Sequence, residues 1–130
     1  MKTSVKKTAV IVGCSQMGAR LAMSLSDKGY KVVIMDKDYH AFERIDRHFL
    51  GTEFLGDGQD LAALRSLGVD NIKLFVAATG NDADNLTLSR KAEKLYHLGR
   101  VYARLSGNQS REQLKRCSAD HASAIYPSGR

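Results

Sequence analysis

The stretch VIVGCSQMGARLA, residues 10–22, decides the fold of this 130-residue chain. A β-branched apolar segment enters a turn at Gly13, and the turn enters residues spaced for a helix. The spacing is that of a G-x-G-x-x-G dinucleotide-binding turn, with Gly13 first and Gly18 last. Ser15 stands at the middle position, where glycine normally lets a pyrophosphate approach the backbone. A Cβ there hinders that approach, and a serine is costlier than glycine if the position needs positive φ. Its hydroxyl can donate to a phosphate oxygen. The expectation is a turn that still binds, with the pyrophosphate weakened or displaced and the ribose and adenine contacts carrying more of the affinity.

Outward from this turn, short apolar runs alternate with amphipathic stretches. Thr8–Val12 and residues 31–35 are continuous and β-branched, which suits strands buried on both faces. Residues 17–28 between them read as a helix closed by Gly29. Phe42, Ile45 and Phe49 recur at helical spacing and predict a helix over 41–49. Thr52–Leu55 reads as a short strand closed by Gly56-Asp57-Gly58, and Leu61, Leu64 and Leu67 as a short helix ending at Gly68. Residues 72–78 form the next strand. Residues 81–97 form a long helix whose first turn carries Asp82 and Asp84, favourable to the helix dipole. Arg100–Arg104, a helix over 109–117 and a strand over 122–126 stopped by Pro127 complete the pattern. Such alternation predicts an α/β fold: a doubly wound parallel sheet of Rossmann type, six strands in the order 3-2-1-4-5-6. Residues 1–130 are expected to form one domain, the usual size for a single core.

Composition narrows the function classes. No apolar run approaches the ~18 residues that span a bilayer, and the run after MKTSVKK is too short for a signal-peptide core. A cytoplasmic protein without direct membrane insertion is expected. Cys14 and Cys117 make no C-x-x-C pair, and the four histidines make no metal-binding spacing, so reduced thiols and no metal are expected. The formal charge of +6 could draw nucleic acid or an anionic ligand. The Lys and Arg residues, however, are dispersed beside acids at helical spacing, and no helix-turn-helix or RNA-binding signature is present. Nucleic acid is not an expected partner.

In a sheet of this kind ligands bind outside the carboxyl ends of the strands. The residues predicted on that rim are small, polar and acidic. Gly13 makes the tight turn, and Gly18 lets the helix pack close. Backbone N–H groups at the helix start, around Gln16 and Met17, can hold a phosphate. Asp36, followed by Lys37, lies at the distance expected of a carboxylate that accepts ribose hydroxyls. Asp57 and Gly58, with the Thr79-Gly80-Asn81 turn, can shape the base or second-ribose side. Arg104 can offer positive charge to phosphate. Taken singly, each has a plainer reading as a turn, a cap or a surface charge; their convergence on one rim makes them a candidate site.

With those residues in place, the chain resembles the RCK/KTN (TrkA-N) family, and the resemblance covers nearly the whole sequence. It rests on VIVGCSQMG, VVIMDKD, GDGQDLAALRSLGVDN, LFVAATGNDADN and RVYARLSG, the GD…L…LGV segment leading into VAATGND being the most specific. The resemblance implies a cytoplasmic nucleotide-binding regulator of a potassium channel or transporter, peripheral to the inner membrane through its partner. The implied ligand is NAD(H) or an adenine nucleotide: AMP, ADP or ATP. The implied partners are a potassium-translocating membrane subunit and further copies in a homodimer or higher ring, possibly including a second RCK-type chain. By motif match Gly13, Ser15, Gly18, Asp36, Asp57, Thr79 and Arg104 fall at family ligand positions. Many relatives have glycine at 15 and a basic residue at 16, so Gln16 weakens the case for a triphosphate. The smaller C-terminal domain that often follows in the family is not expected within this sequence.

The rival reading is a small NAD(P)-dependent oxidoreductase or its cofactor-binding subunit. A short-chain reductase needs Tyr-x-x-x-Lys. Four residues after Tyr30, Tyr39, Tyr96, Tyr102 and Tyr126 stand Ile34, Glu43, Arg100, Ser106 and Arg130, so no catalytic residue is assigned. A methyltransferase and a DNA-binding redox regulator have still less support. The expectation is a non-catalytic ligand switch.

Overall fold

The computed structural model describes residues 7–58, 60, 62, 72–96, 100–106 and 122–125. Six parallel strands form one sheet: β1 (Thr8–Val12), β2 (Lys31–Asp36), β3 (Thr52–Leu55), β4 (Ile72–Ala77), β5 (Arg100–Arg104) and β6 (Ala122–Ile125). Their order is β3-β2-β1-β4-β5-β6, the doubly wound order expected. Two α-helices are described, α1 (Gln16–Asp27) and α2 (Asp82–Tyr96). The helices expected over 61–67 and 109–117 lie outside the described residues, Ala62 apart, as do Cys117, His97 and His121.

The apolar runs at 8–12 and 31–35 become central strands because both faces of the sheet are covered. Ala9, Ile11, Val32 and Ile34 point to one side and pack with Ala19, Ala22 and Leu25 of α1. Val10, Val12, Val33 and Met35 point to the other side and pack with Leu88 and Ala92 of α2. A strand with period 2 and two buried faces has no polar position to spare. β3, at the edge of the sheet, is mostly exposed; its half-buried Phe54 packs onto the α2-side core. The lone ladder irregularity of β1 with β4 falls between Thr8 and Ala9, at the end away from the rim.

α1 closes in a Schellman motif: Tyr30 N–H donates to Leu25 O and Gly29 N–H to Ser26 O, each at 3.0 Å. α2 opens at Asn81, whose side-chain oxygen accepts the Asp84 N–H at 2.9 Å.

The helix expected over 41–49 is not formed. A 3-10 helix covers Tyr39–Arg44 and ends at Ile45, which is extended at φ −85° and ψ 134°. Asp38 caps the 3-10 helix by accepting the His40 N–H, while past Ile45 Asp46 accepts both the His48 N–H and its ring Nδ1, taking a backbone donor that an α-helix would need. Local bonds from Asp to the backbone two residues on compete with helix formation. The apolar spacing has another cause: Phe42, Ile45 and Phe49 anchor a looped segment onto the core beside α1.

β2 runs one residue further than the apolar run, so Asp36 ends the strand and pairs in register with Leu55. The ends of β1 to β4 therefore bring the glycine turn, Asp36, the 56–58 turn and the 79–81 turn to the same rim.

Candidate nucleotide site at the sheet rim

The rim encloses a cavity of about 550 Å3. Of the residues read from the sequence, Gly13, Ser15, Asp36, Lys37, Asp57, Gly58, Thr79, Gly80 and Asn81 line it. Gln16, Met17, Gly18 and Arg104 do not.

The glycine turn is fixed from below by backbone. Gly13 N–H donates to Met35 O at 2.7 Å, and Ala78 N–H donates to Val12 O at 2.7 Å. Gly13 has φ +110°, and a Cβ on it would lie 2.6 Å from Ala78 C and Thr79 N. No side chain fits there, and few would adopt the conformation. Gly18 is required for a different reason: a Cβ on it would collide with the Gly13 carbonyl oxygen. The helix thus packs against the turn, and Gly18 stands behind the cavity.

Ser15 is the N-cap of α1, at φ −76° and ψ 176°. The position does not need positive φ, so serine carries no backbone cost, contrary to the reading of the G-x-G-x-x-G spacing. Its Oγ accepts the Gly18 N–H at 3.1 Å and donates to Ala78 O at 2.7 Å. The single hydroxyl proton is committed to a protein carbonyl, so it is not the phosphate donor the sequence suggested. With Gly18 and Ala19 bonded to Ser15, Gln16 and Met17 keep N–H groups with no intrahelical acceptor. Their side chains lie elsewhere. Met17 packs on the α1-side core, and Gln16 lines a neighbouring hollow with Ala19, Arg20, Met23, Arg44 and Asp46.

Asp36 ties two elements together. Its Oδ2 accepts the Cys14 N–H at 2.8 Å, and its Oδ1 accepts the Asp38 N–H at 2.8 Å. A carboxylate offers about four acceptor sites, so capacity remains toward the cavity that it lines. The far wall is built on Asn85, which is fully buried. Its Oδ1 accepts from Thr79 N at 2.9 Å and from Thr79 Oγ1 at 2.7 Å. Its Nδ2 donates to Thr79 O and Arg104 O. Arg104 donates from Nη1 to Thr79 O at 3.1 Å, so its charge braces the 79–81 turn from behind rather than facing the cavity.

Sequence reasoning gave Asp38 and Asp84, though near the rim, no role at the site, and passed over Cys14, Arg44 and Asn85. The Cys14 thiol is buried beside Asp36, and burial, then the Asp36 charge, push its pKa from 9.0 up to about 11 against a lowering by Arg44. It is an inert neutral thiol at neutral pH. Arg44 donates from Nη1 to Cys14 O at 3.3 Å across a separation of 30 residues. Asp38 and Asp84 join Asp36 and Asp57 on the cavity wall, facing Lys37 and Arg44 as its cations. Asn85 had a visible signal, a polar residue on the inward side of a helix before Leu86 and Leu88; Cys14, Asp38 and Asp84 are sequence neighbours of Gly13, Asp36 and Asn81, and Arg44 is brought in by a long-range contact. Among the described residues no cluster of His, Cys, Asp or Glu could hold a metal ion.

The model of the TrkA-N domain matches residues 9–125. The chain belongs to the TrkA-N family. The Trk system potassium uptake protein TrkA of Streptomyces coelicolor is 32% identical over 96 residues, 74% of this chain and 43% of that protein. A TrkA homolog of Methanothermobacter thermautotrophicus is 30% identical over 112 residues, 86% of this chain and 51% of that protein. The chain thus spans about half the length of these TrkA relatives. Among solved structures, the GsuK channel bound to NAD matches with a TM-score of 0.74 at 21% identity, covering 97% of this chain and 22% of that one. The AMP-bound C-terminal domain of Kef from Shewanella denitrificans matches at 0.74 and 24% identity, covering 92% of this chain and 72% of that one. At such identities the shared property is the TrkA-N fold. The chain has the Rossmann-type TrkA-N fold, and the relatives it matches are named as potassium uptake proteins.

Proposed function

We propose that this chain is a non-catalytic, nucleotide-controlled regulatory unit of a potassium channel or transporter, its residues 1–130 acting as one nucleotide-binding domain. The ligand is NAD(H) or an adenine nucleotide, taken into the rim cavity. Asp36 accepts the ribose hydroxyls with the capacity left over from Cys14 and Asp38. The Gln16 and Met17 N–H groups at the start of α1 hold the first phosphate. Lys37, Asp57, Gly58 and the Thr79-Gly80-Asn81 turn bound the nucleoside, while Gly13, Ser15, Gly18 and Arg104 fix the geometry.

The observation that carries this reading is the pair of hydrogen bonds that the Cys14 and Asp38 N–H groups donate to the Asp36 carboxylate. It sets one carboxylate at the junction of the glycine turn and the cavity. The solved neighbours bound to NAD and AMP support the choice of ligand class. The partner is a potassium-translocating membrane subunit, with the chain on its cytoplasmic side in a homodimer or ring. Ligand binding biases that assembly by no more than its differential affinity for the two arrangements.

A thermal-unfolding panel with NAD, NADH, AMP, ADP and ATP tests the proposal. A ligand at about 100 times its dissociation constant stabilises by about 2.7 kcal/mol, a shift of several degrees for a domain of this size. A shift with at least one of these ligands is expected. No shift with any of them at millimolar concentration would overturn the proposal.

A further inference from the structure

We infer that the α1 side of the molecule is a face where two copies of this chain pair, the acidic and apolar edge of β3 in one copy seating in a cationic hollow of the other. The inference rests on the second copy named in the proposed function and assigns it a surface; it needs no nucleotide.

β3 ends the sheet, so one side of its backbone has no strand to pair with among the described residues. Its four residues, Thr52–Leu55, include neither Lys nor Pro, common guards of an open edge. Glu53 pairs in register with Ile34, and Leu55 with Asp36. Ile34 packs on the α1 side. Paired residues of neighbouring strands share a face, so Glu53 and Leu55 also face the α1 side. Apolar exposure gathers at the same strand. Among the described residues the exposed large apolar side chains are Leu50, Tyr39 and Leu55, at 90%, 68% and 53%. Leu50 lies two residues before β3, Leu55 ends it, and Tyr39 opens the 3-10 helix that follows β2. Exposed apolar residues scattered singly are ordinary, but three around one open edge mark an interaction surface.

The complement lies on the same side. A hollow of about 590 Å3 between α1 and residues 44–46 is lined by Gln16, Ala19, Arg20, Met23, Arg44 and Asp46. Ala19 and Met23 make part of it apolar, and Arg20 and Arg44 bring two guanidinium groups. Asp46, its one carboxylate, is engaged elsewhere: Oδ1 accepts from His48 N and Nδ1, each at 2.8 Å. Among the described residues no ion pair joins Arg20, Arg44 or Glu53 to an opposite charge. One face thus carries unpaired cations beside an apolar lining and an unpaired acid beside exposed leucines. That self-complementarity selects a second copy as the occupant. A two-fold axis between the two patches sets Glu53 of each copy against Arg20 and Arg44 of the other, twice per dimer. Exposed ion pairs contribute little by themselves. Burial of Leu50, Leu55 and Tyr39 supplies the affinity, and the charges fix the register.

The test is sedimentation velocity of the nucleotide-free 130-residue chain. Concentrations run from about 5 to about 300 μM, across which a weak dimer assembles by mass action. A reversible monomer–dimer equilibrium that weakens with added salt is expected. E53R sets like charges against Arg20 and Arg44 and should weaken dimerisation at least about tenfold. R20E/E53R restores an attraction and should dimerise more tightly than E53R alone, a coupling that a loss of packing would not produce. Both positions are exposed, and circular dichroism checks that the variants are folded. A dimer that E53R leaves unchanged, or a double variant no tighter than E53R, would overturn the assigned surface and leave the second copy standing. A chain monomeric at every concentration would overturn both. With nucleotide absent, none of these outcomes bears on the nucleotide reading, which the unfolding panel tests separately.

Discussion

Asp36 Oδ2 accepts the Cys14 N–H at 2.8 Å, joining the end of β2 to the glycine turn after β1. The bond fixes where the carboxylate stands and also places it against a thiol. Cys14 is buried, and burial with the Asp36 charge raises its pKa from 9.0 to about 11. A raised pKa means that the unfolded chain loses this proton first as pH rises. The stabilisation is therefore complete below pH 9 and lost between pH 9 and about 11. Urea unfolding across that window should show a steeper loss of stability in the wild type than in Cys14→Ala. The same thiol should resist alkylation at pH 8 in the native state and react once the chain is unfolded in urea.

Ser15 caps α1 and bonds Ala78 O. Ser15→Ala removes both contacts and is expected to cost about 1 kcal/mol, the usual value of an N-cap, up to about 2. Ser15→Gly should cost less, because glycine is tolerated at a cap. Chemical denaturation of the two variants measures the difference. The opposite order would mean that the hydroxyl contributes little as a cap.

Gly18 faces the Gly13 carbonyl oxygen with no room for a methyl group. Both partners are backbone, so neither yields by rotating a side chain. Gly18→Ala should destabilise by roughly 1–3 kcal/mol, as overpacked sites do, and should weaken nucleotide binding by displacing the turn. Parallel measurements of unfolding midpoint and ligand affinity check both effects.

Asn85 serves Thr79 N, Thr79 Oγ1, Thr79 O and Arg104 O from a fully buried position. Asn85→Leu fills the space but leaves backbone groups without partners, each at roughly 1–3 kcal/mol. A loss of at least about 2 kcal/mol is expected. Amide exchange at Thr79 should accelerate in the variant by more than the global loss of stability accounts for. Exchange that tracks global stability alone would contradict a local role.

The strands were legible because burial on both faces leaves a continuous apolar run, and Val10 to Val12 or Val32 to Met35 can do little else. Strand order followed from the β-α alternation. The segment after β2 was not legible, since Phe42, Ile45 and Phe49 mimic one continuous helix while the 3-10 helix that Asp38 caps stops at Ile45 and Asp46 holds the next residues in a turn. At the site, Gly13, Asp36 and Asn81 carry local signals: a turn, a strand end, a helix cap. Arg44 on Cys14 and Asn85 on Arg104 are contacts across 30 and 19 residues that no local pattern encodes. Ser15 was visible but misread, because the motif suggests a phosphate donor where the fold needs a cap.

The central claim is that Asp36 receives the ribose of a bound nucleotide. Calorimetric titration of the wild type and Asp36→Asn with NAD and ADP tests it most directly, at a temperature where both proteins are folded. An amide serves only one of the two N–H groups that Asp36 now accepts, so some loss of stability is expected and is measured separately. Charged hydrogen bonds of roughly 1.5–3 kcal/mol correspond to about 10- to 100-fold in affinity. The account predicts saturable binding by the wild type, weakened by that factor in the folded variant. Equal affinities within about threefold in wild type and variant, or no binding by either, would contradict it.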